Sequence, residues 1–429
     1  MKIIDLRKGI FERRLRKLNR EISFSYPRIE SYVRKIVEAV RKDGDEALFR
    51  YTKKFDKVEL NPKTVKVSNK EIEIAETQVS EEIKSGLALA AERIKDFHEK
   101  KVPEEHTFND SLGNELGWVL RPLEKVGVYV PGGKAAYPST VLMTVIPAKV
   151  AGVEEVFLVT PCRNGEINSA VLVAAYMAGV SAVYKVGGAQ AVAALAFGTA
   201  SIPKVDKIVG PGNIYVSIAK KLVFGTVDID MIAGPSEVLV ISDGSVPAKW
   251  VACDLLAQAE HDEMAVPILV TNSSEFGIEV KREVLKRVKS LKRRQIAKEA
   301  IRNQGRIIVV DTLDNAILVA NAIAPEHLEL CVENPKAILP KVKHAGAIFL
   351  GSLSTEAFGD YIAGPSHVLP TSGAARFSSP LSVYEFLRMP SVISISQSGF
   401  KELGDTVVNL AYSEGLEAHA LSVKVRLEG

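Results

Sequence analysis

The pattern of hydrophobic and polar positions changes near residue 110. Residues 1 to about 110 carry apolar residues at helical spacing between charged faces, which predicts mostly helices. From Gly117 onward, short β-branched runs alternate with alanine-rich stretches such as INSAVLVAAYMAG. The predicted strands are VGVYV at 126–130, EVFLVT at 155–160, AVYKV at 182–186, DKIVG at 206–210 and PILVT at 267–271. This alternation predicts βαβ units on a parallel sheet.

One nine-residue sequence occurs twice in similar form, as IAGPSEVLV at 232–240 and IAGPSHVLP at 362–370. Each copy follows a stretch that is compatible with a strand. The repetition is consistent with two related α/β domains. Gly-Pro-Ser is also a natural turn, so two independent turns explain the repetition equally well.

Two further segments stand out by composition. The densest basic run is KREVLKRVKSLKRRQIAKEAIR at 281–302, and its apolar residues recur at helical spacing. This favours a solvated helix that packs on one side over a binding site for a polyanion. The segment after Phe377 starts with Ser and Pro residues and ends in a predicted helix that runs to Val425. This arrangement is typical of an appended tail.

Composition excludes several classes of function. The 55 Lys and Arg residues balance 52 Asp and Glu residues, and a net charge of +3 on 429 residues predicts no nucleic-acid or membrane partner. The most apolar stretch, Ala170 to Tyr184, is shorter than the roughly 18 residues that a membrane span requires. Cys162, Cys253 and Cys331 are predicted to be reduced core thiols. Together with an N-terminus that shows no targeting signal, they predict a cytoplasmic protein.

The histidines fall into two groups. Three lie in charged or loop-like sequence, namely His98, His106 and His344. Four sit beside carboxylates, amides or tight turns in the downstream half, namely His261, His327, His367 and His419. A single histidine is an ordinary hydrogen-bonding group, so it is the grouping that points to a site.

Two of these segments carry donors that suit a metal. WVACDLLAQAEHDEMA at 250–265 places Gln258 and His261 three residues apart on one helical face. In GDYIAGPSHV, a Gly-Pro turn separates Asp360 from His367 and allows both to point toward one place. Nitrogen and oxygen donors of this kind suit zinc better than calcium or magnesium.

The full ligand set stays open on chemical grounds. Amide oxygen is an uncommon zinc ligand, so Glu260 or Asp262 is a more obvious carboxylate partner than Gln258. No cysteine joins these candidate ligands.

The segment APEHLEL at 324–330 carries two adjacent bases. Pro325 is predicted to be the first residue of a helix, which places Glu326 and His327 in its first turn. There the positive helix end stabilises an ionised carboxylate, while the imidazole can accept and return a proton. Two such bases suit a reaction with two successive proton abstractions. The alternative is that Glu326 caps helix amides and His327 is merely exposed.

A nucleotide site is predicted without the usual fingerprint. No G-x-G-x-x-G motif follows a predicted strand. Instead, three glycine-bearing turns follow strands: VPGGKAAYPS, VGGAQAVAAL and GPGNIYVSIAKK. Each can bring backbone amides near a pyrophosphate, with Tyr129 or Tyr215 available for stacking or ribose contacts. Glycines that simply allow helices to pack on strands are the alternative.

These motifs together resemble the histidinol dehydrogenase family. The motifs that carry the resemblance are QAEHD at 258–262, APEHLE at 324–329, GDYIAGPSHVLPT at 359–371, EGLEAHA at 414–420, GVYVPGG at 127–133 and GPGN at 210–213. The resemblance runs from about Arg121 to His419, in the expected order and without departure at the positions that the family uses for chemistry.

The resemblance implies a role for each residue of the site. The implied zinc ligands are Gln258, His261, Asp360 and His419, so Glu260 and Asp262 become supporting residues. Glu326 and His327 become the acid/base pair. Substrate contacts are implied for Ser236, His367 and Glu414, in addition to His327 and the zinc ligands. NAD contacts are implied for Tyr129, Gln190 and Asn213.

The resemblance also implies a fold of two incomplete Rossmann-like α/β domains with parallel-sheet cores, plus helical terminal segments. The predicted divisions are an N-terminal helical segment, 1–24, a discontinuous first domain with the zinc and acid/base residues, 25–128 and 236–380, an NAD-binding second domain, 129–235, and a tail, 381–429. The tail is expected to reach the partner subunit in a homodimer with shared active sites.

The implied reaction is the NAD-dependent, four-electron oxidation of L-histidinol through L-histidinaldehyde to L-histidine in histidine biosynthesis, with zinc anchoring the substrate. One alternative is a zinc-dependent hydrolase on an α/β scaffold, because His, Asp and a nearby Glu equally activate a metal-bound water. A second is a ligand-binding α/β module whose zinc is purely structural.

Overall fold

The structure is a computed structural model that describes residues 1–7, 11–20, 27–132 and 136–428. Its first hundred residues are mostly helical, as predicted. One strand, β1 (Lys2–Asp5), precedes five helices: α1 (Phe11–Arg20), α2 (Pro27–Asp43), α3 (Asp45–Asp56), α4 (Asn69–Gln78) and α5 (Glu81–Glu99). The predicted helical segment 1–24 is therefore wrong at Lys2–Asp5, and its residues 8–10 and 21–24 lie outside the described residues. Strands β2 (His106–Asn109), β3 (Glu115–Trp118) and β4 (Arg121–Pro122) follow.

A five-stranded parallel sheet forms the first α/β layer. Its strands are β5 (Lys125–Tyr129), β6 (Glu155–Val159), β7 (Ala182–Tyr184), β8 (Lys207–Val209) and β9 (Asp228–Ile229). The helices between them are α6 (Pro138–Val150), α7 (Ser169–Met177), α8 (Gly188–Phe197) and α9 (Ile214–Val223). The spatial order is β7-β6-β5-β8-β9, with every pair parallel. Numbered along the chain, this is 3-2-1-4-5, the Rossmann order without its sixth strand.

A six-stranded parallel sheet forms the second layer. Its further strands are β10 (Glu237–Ser242), β11 (Val266–Thr271), β12 (Arg306–Val309), β13 (His327–Cys331) and β14 (Ala347–Leu350). Its helices are α10 (Ala248–Ala259), α11 (Ser274–Arg287), α12 (Arg294–Asn303), α13 (Leu313–Ile323), α14 (Pro335–Ile338) and α15 (Glu356–Tyr361). The order β1-β12-β11-β10-β13-β14 repeats 3-2-1-4-5 for β10–β14, with β1 added at one edge. The predicted pair of incomplete Rossmann-like units is confirmed.

The repeated Gly-Pro-Ser sequence does not mark this repetition. Residues 232–240 lead into β10, whereas residues 362–370 follow helix α15 and form no strand. β5 holds the same position in the five-stranded sheet as β10 holds in the six-stranded sheet, so the segment that leads into β5 corresponds to residues 232–240. That segment contains no Gly-Pro-Ser sequence. The two copies are turns at non-equivalent places in the fold.

The C-terminal segment adds strands β15 (Leu387–Arg388) and β16 (Ser391–Ser394) and helices α16 (Gln397–Ser413) and α17 (Glu417–Leu427). β15 pairs with β4 and β16 pairs with β3, both antiparallel. The two helices pack on each other around a small cluster of their own, formed by Val408, Ala411 and Ala420. The prediction that the chain ends in a helical segment is confirmed, whereas β15 and β16 in the same tail were not predicted.

Packing corrects the predicted domain limits in two respects. The boundary between residues 128 and 129 falls inside β5, so it would divide a strand of the five-stranded sheet. Helices α2 to α5 also pack against that sheet and its helices, since Val33 and Ile94 belong to the clusters that contain Phe157 and Val126. The remaining limits stay a prediction.

The predictions for the basic run and for the cysteines hold, except at Cys253. The basic run forms α11 and α12, in which Val284 is buried and Leu285 is exposed. All three cysteines are free, but Cys253 is exposed instead of lying in the core, because it points away from the buried face of α10.

We expect the segment before β15 to help stabilise the five-stranded unit. Phe386 is fully buried in the cluster that contains Val126 and Leu158, whereas Phe377 is 84% exposed. Phe386→Ala should lower the free energy of unfolding by about 3–5 kcal/mol, because it leaves a cavity in a packed core. The matched control Phe377→Ala should change it by less than about 0.5 kcal/mol. Denaturant unfolding followed by circular dichroism measures both, and equal changes would contradict this packing.

Candidate active site

The predicted chemical residues gather at the amino ends of β10 and β13. These strands are parallel neighbours, and Val238 pairs with His327. Glu237 therefore lies beside Glu326 and His327, while Ser236 immediately precedes β10. Ligands of open α/β sheets usually bind at the carboxyl ends of strands, so the predicted site of the six-stranded sheet would depart from that rule.

His327 is held in one tautomer by the backbone. Its Nδ1 lies 3.0 Å from the carbonyl oxygen of Glu237. A carbonyl only accepts hydrogen bonds, so Nδ1 carries the proton and Nε2 keeps its lone pair. Nε2 is buried without a hydrogen-bond partner among the described residues and lies 3.9 Å from Oδ1 of Asp360. Burial lowers the pKa of His327, so the ring is a neutral base.

Glu326 is a buried carboxyl group beside that base. Its Oε2 accepts the backbone N–H of Glu237 at 2.8 Å and lies 3.7 Å from Nδ1 of His327. Burial, followed by the charges of Glu237 and Asp360, raises the pKa of Glu326 well above its usual range. The residue Glu237 thus contacts both members of the predicted acid/base pair through its main chain.

The prediction that a helix begins at Pro325 is wrong. Helix α13 ends at Ile323, Ala324 adopts a left-handed conformation with φ of 54°, and His327 is the first residue of β13. Proline is common just after a helix end because it cannot continue the helix, and here it follows the C-cap. Glu326 therefore does not lie in the first turn of a helix, and burial raises its pKa instead.

The predicted metal donors converge from two elements. Gln258 lies in the last turn of α10, and its Nε2 is 3.3 Å from Nδ1 of His261, just beyond the helix end. The Oε1 atom of Gln258 is fully buried and has no hydrogen-bond partner in the described part of the chain. His261, Asp360 and Glu356 offer ligand atoms that all lie within 4.8 Å of one another.

This donor set fits zinc. Amide oxygen, imidazole nitrogen and carboxylate oxygen are all ligands that zinc accepts, and an unsatisfied buried amide oxygen needs a partner. Burial lowers the pKa of His261, which favours the neutral ring that a metal requires. The geometry therefore brings three of the four predicted ligands, Gln258, His261 and Asp360, to one place.

His367 also reaches this place, as the Gly-Pro turn predicted. Its Nδ1 lies 3.0 Å from the carbonyl oxygen of Asp360, and its Nε2 lies 3.1 Å from Oγ1 of Thr140. Thr140 is the third residue of α6, the helix that follows β5 of the five-stranded sheet. The site is thus bordered by the amino edge of one sheet and the carboxyl edge of the other.

Two predicted residues are not brought to the site within the chain. Glu414 and His419 are exposed on the hairpin of α16 and α17. Among the described residues, no side-chain hydrogen bond, ion pair or metal grouping joins either of them to Gln258, His261 or Asp360.

The three residues predicted to contact NAD lie at the carboxyl edge of the five-stranded sheet. Tyr129 ends β5, and its hydroxyl accepts the N–H of Gly188 at 3.1 Å. Gln190 in α8 is 1% exposed, and neither of its amide atoms has a partner in the described ranges. Asn213 caps α9 by accepting the N–H groups of Tyr215 and Val216. This is the edge where Rossmann-like sheets bind nucleotides.

The turns at this edge are closely fitted. Gly210 has φ of 107°, and a Cβ there would lie 2.2 Å from the carbonyl oxygen of Tyr129. Only glycine allows the two turns to approach in this way. Residues 133–135 of the turn after β5 lie outside the described residues.

Sequence reasoning missed three residues of the site: Glu237, Glu356 and Thr140. The signal for Glu237 is its position directly after Ser236 in the first Gly-Pro-Ser copy. The signal for Glu356 is its spacing of four residues from Asp360, because a helix over 356–361 places these two carboxylates on one face. No comparable signal marks Thr140.

Comparison with known proteins decides the family. A model of the histidinol dehydrogenase family matches residues 20–427. The chain is 54% identical to histidinol dehydrogenase of Aquifex aeolicus over 428 residues, which cover 99% of each chain. It resembles a crystal structure of histidinol dehydrogenase from Elizabethkingia anophelis with a TM-score of 0.94 and 37% identity, covering 100% of this chain and 98% of that one. The chain belongs to the histidinol dehydrogenase family.

Membership in the histidinol dehydrogenase family confirms the resemblance found in the sequence and gives no support to the zinc-hydrolase alternative. A lactaldehyde dehydrogenase structure, 12% identical with a TM-score of 0.51, shares the fold alone. Within the described residues, no helix has the length and apolar character needed to cross a membrane.

Proposed function

We propose that this chain catalyses the oxidation of L-histidinol through L-histidinaldehyde to L-histidine, using two NAD molecules and one water. The observation that carries the proposal is the contact of Glu237 with both bases beside a group of metal donors. We also propose a cytoplasmic location, because the three cysteines are free and thiols stay reduced in that compartment.

The proposed zinc ligands are Gln258, His261, Asp360 and the partner subunit's His419. When bound there, zinc would anchor the substrate's imidazole and amino nitrogens and orient the alcohol. The unsatisfied Oε1 of Gln258 and the lowered pKa of His261 support this assignment. Ser236, His367 and Glu414 are proposed to contact the substrate around that anchor.

NAD, when bound, supplies the hydride acceptor for each oxidation, and we place it at the carboxyl edge of the five-stranded sheet. Gln190 offers two unsatisfied amide atoms there, and Tyr129 and Asn213 lie on the neighbouring turns. Tyr129 is buried, and burial raises its pKa to about 12, so its hydroxyl stays protonated as a hydrogen-bond donor.

His327 and Glu326 are proposed to divide the proton transfers. The unprotonated Nε2 of His327 removes the alcohol proton in the first oxidation, because it is the one nitrogen of that ring free to accept. Glu326 assists water addition to the aldehyde in the second. Its raised pKa makes the ionised carboxylate a stronger base than an exposed glutamate. Keeping the aldehyde bound excludes bulk water from a reactive carbonyl.

The proposed working unit is a homodimer in which the tail of each chain completes the partner's site. The hairpin of α16 and α17 exposes large apolar side chains, including Leu410 at 60% and Leu421 at 58%. Exposed apolar patches commonly mark interaction surfaces. The exposure of Glu414 and His419 in the single chain supports the same arrangement.

Supplying histidinol and NAD to the purified protein tests the function. We expect two NADH per histidinol consumed and histidine as product. A chelator should abolish turnover while leaving the circular dichroism nearly unchanged, because the ligands lie on large elements that fold through their own cores. Absence of NADH with added zinc would contradict the proposal.

We expect the two bases to differ by step. His327→Gln should slow histidinol oxidation by about 100-fold or more, because it removes the accepting nitrogen. Glu326→Gln should slow histidinaldehyde oxidation more than histidinol oxidation, because only the second step needs water. Each variant is assayed with each substrate separately, with His344→Gln, a change outside the site, as the control. Equal losses on both substrates for both variants would show that no such division exists.

If each active site is built from both chains of a dimer, refolding two different inactive variants together should restore activity. His327→Gln and His419→Asn chains are each expected to be inactive. When they are unfolded and refolded together, half of the dimers are mixed, and one site in each mixed dimer receives both intact residues. Activity should recover to about a quarter of that of the unmodified protein. If each site is built within one chain, the mixture stays inactive.

A further inference from the structure

A second carboxylate lies among the proposed metal donors. Glu356 is the first residue of α15 and Asp360 is the fifth, so the two project from one face of the helix. Their ligand oxygens and a ring nitrogen of His261 all lie within 4.8 Å of one another. The nearby Oε1 of Gln258, on the residue that contacts His261, is buried and unsatisfied.

The surroundings of Glu356 call for a cation. Its side chain is 2% exposed, and its Oε2 has no hydrogen-bond partner in the described part of the chain. The neighbouring charges that act on it are all carboxylates, namely Asp360, Glu329, Glu326 and Asp254. An uncompensated buried carboxylate is costly, so it takes up either a proton or a cation.

The main chain fixes the position of Glu356. Thr355, which precedes α15, makes no side-chain cap. Instead, Oε1 of Glu329 on β13 accepts the N–H of Glu356 at 2.8 Å. Glu329 lies two residues after His327 on that strand and so shares its face of the sheet. One strand therefore positions both the proposed base and the start of α15.

The chain by itself lacks one donor of the proposed set. Zinc commonly takes four ligands, and His419 is exposed on the hairpin instead of lying beside the other three. We propose that Glu356 is an oxygen donor that completes a four-donor metal site within one chain, so that the metal is held before the partner subunit's His419 docks. This inference rests on the proposed zinc site.

Metal binding to the metal-free protein tests the inference without reference to activity. Cobalt is added as a spectroscopic probe, and zinc affinity is measured by competition with a chromophoric chelator. The variants are Glu356→Gln, His419→Asn and the two combined. His419→Asn alone should keep a cobalt spectrum and bind zinc measurably. Adding Glu356→Gln should lower zinc affinity by a further factor of about 10 or more and change the cobalt spectrum.

Two control variants distinguish metal ligation by Glu356 from a change in local charge. A separate unfolding measurement tests whether each variant folds. Glu260→Gln removes a carboxylate that acts on His261 from outside the donor group, and it should lower affinity far less. Glu356→Asp keeps the carboxylate and should retain more affinity than Glu356→Gln. Thermal unfolding of the metal-free variants checks that each one folds.

The outcomes distinguish the inference from the proposed function. If the double variant binds zinc as tightly as His419→Asn alone, or if Asp and Gln at position 356 behave alike, Glu356 is not a donor. If the unmodified protein binds neither cobalt nor zinc, the proposed zinc site itself is wrong.

Discussion

The site depends on the pairing of β10 with β13. This parallel register places the main chain of Glu237 between two side chains, where its N–H bonds Glu326 and its carbonyl oxygen bonds His327. A shift of one residue would send the side chains of β13 to the opposite face of the sheet. Because both contacts use the backbone, the tautomer of His327 follows from the fold itself and not from another side chain.

Burial determines the chemistry of the groups held there. It lowers the pKa of His327 and raises that of Glu326, so the two groups are driven toward their neutral forms in the absence of a cation. Glu237 is buried in the same way, and its pKa is raised to about 7. A site with this excess of carboxyl groups favours a bound cation, which is the physical argument for the metal beyond the resemblance.

The sequence predicted the strands and helices of the fold better than it predicted the secondary structure around Glu326 and His327. Runs such as EVFLVT identify strands because β-branched residues suit buried parallel sheets, and all five predicted strands are present. APEHLEL failed because proline both starts helices and follows them, and nothing local distinguishes the two. The contacts of Glu237 and Thr140 depend on strands and helices distant in sequence, so no local pattern predicts them.

The central claim is that a metal binds at the amino edge of the six-stranded sheet, beside His327. Anomalous scattering at the zinc absorption edge, from crystals of the protein grown with zinc and histidinol, tests this binding directly. We expect one strong peak per site, in coordination contact with Gln258, His261 and Asp360 of one chain. A strong peak elsewhere, with none at these residues, would contradict it.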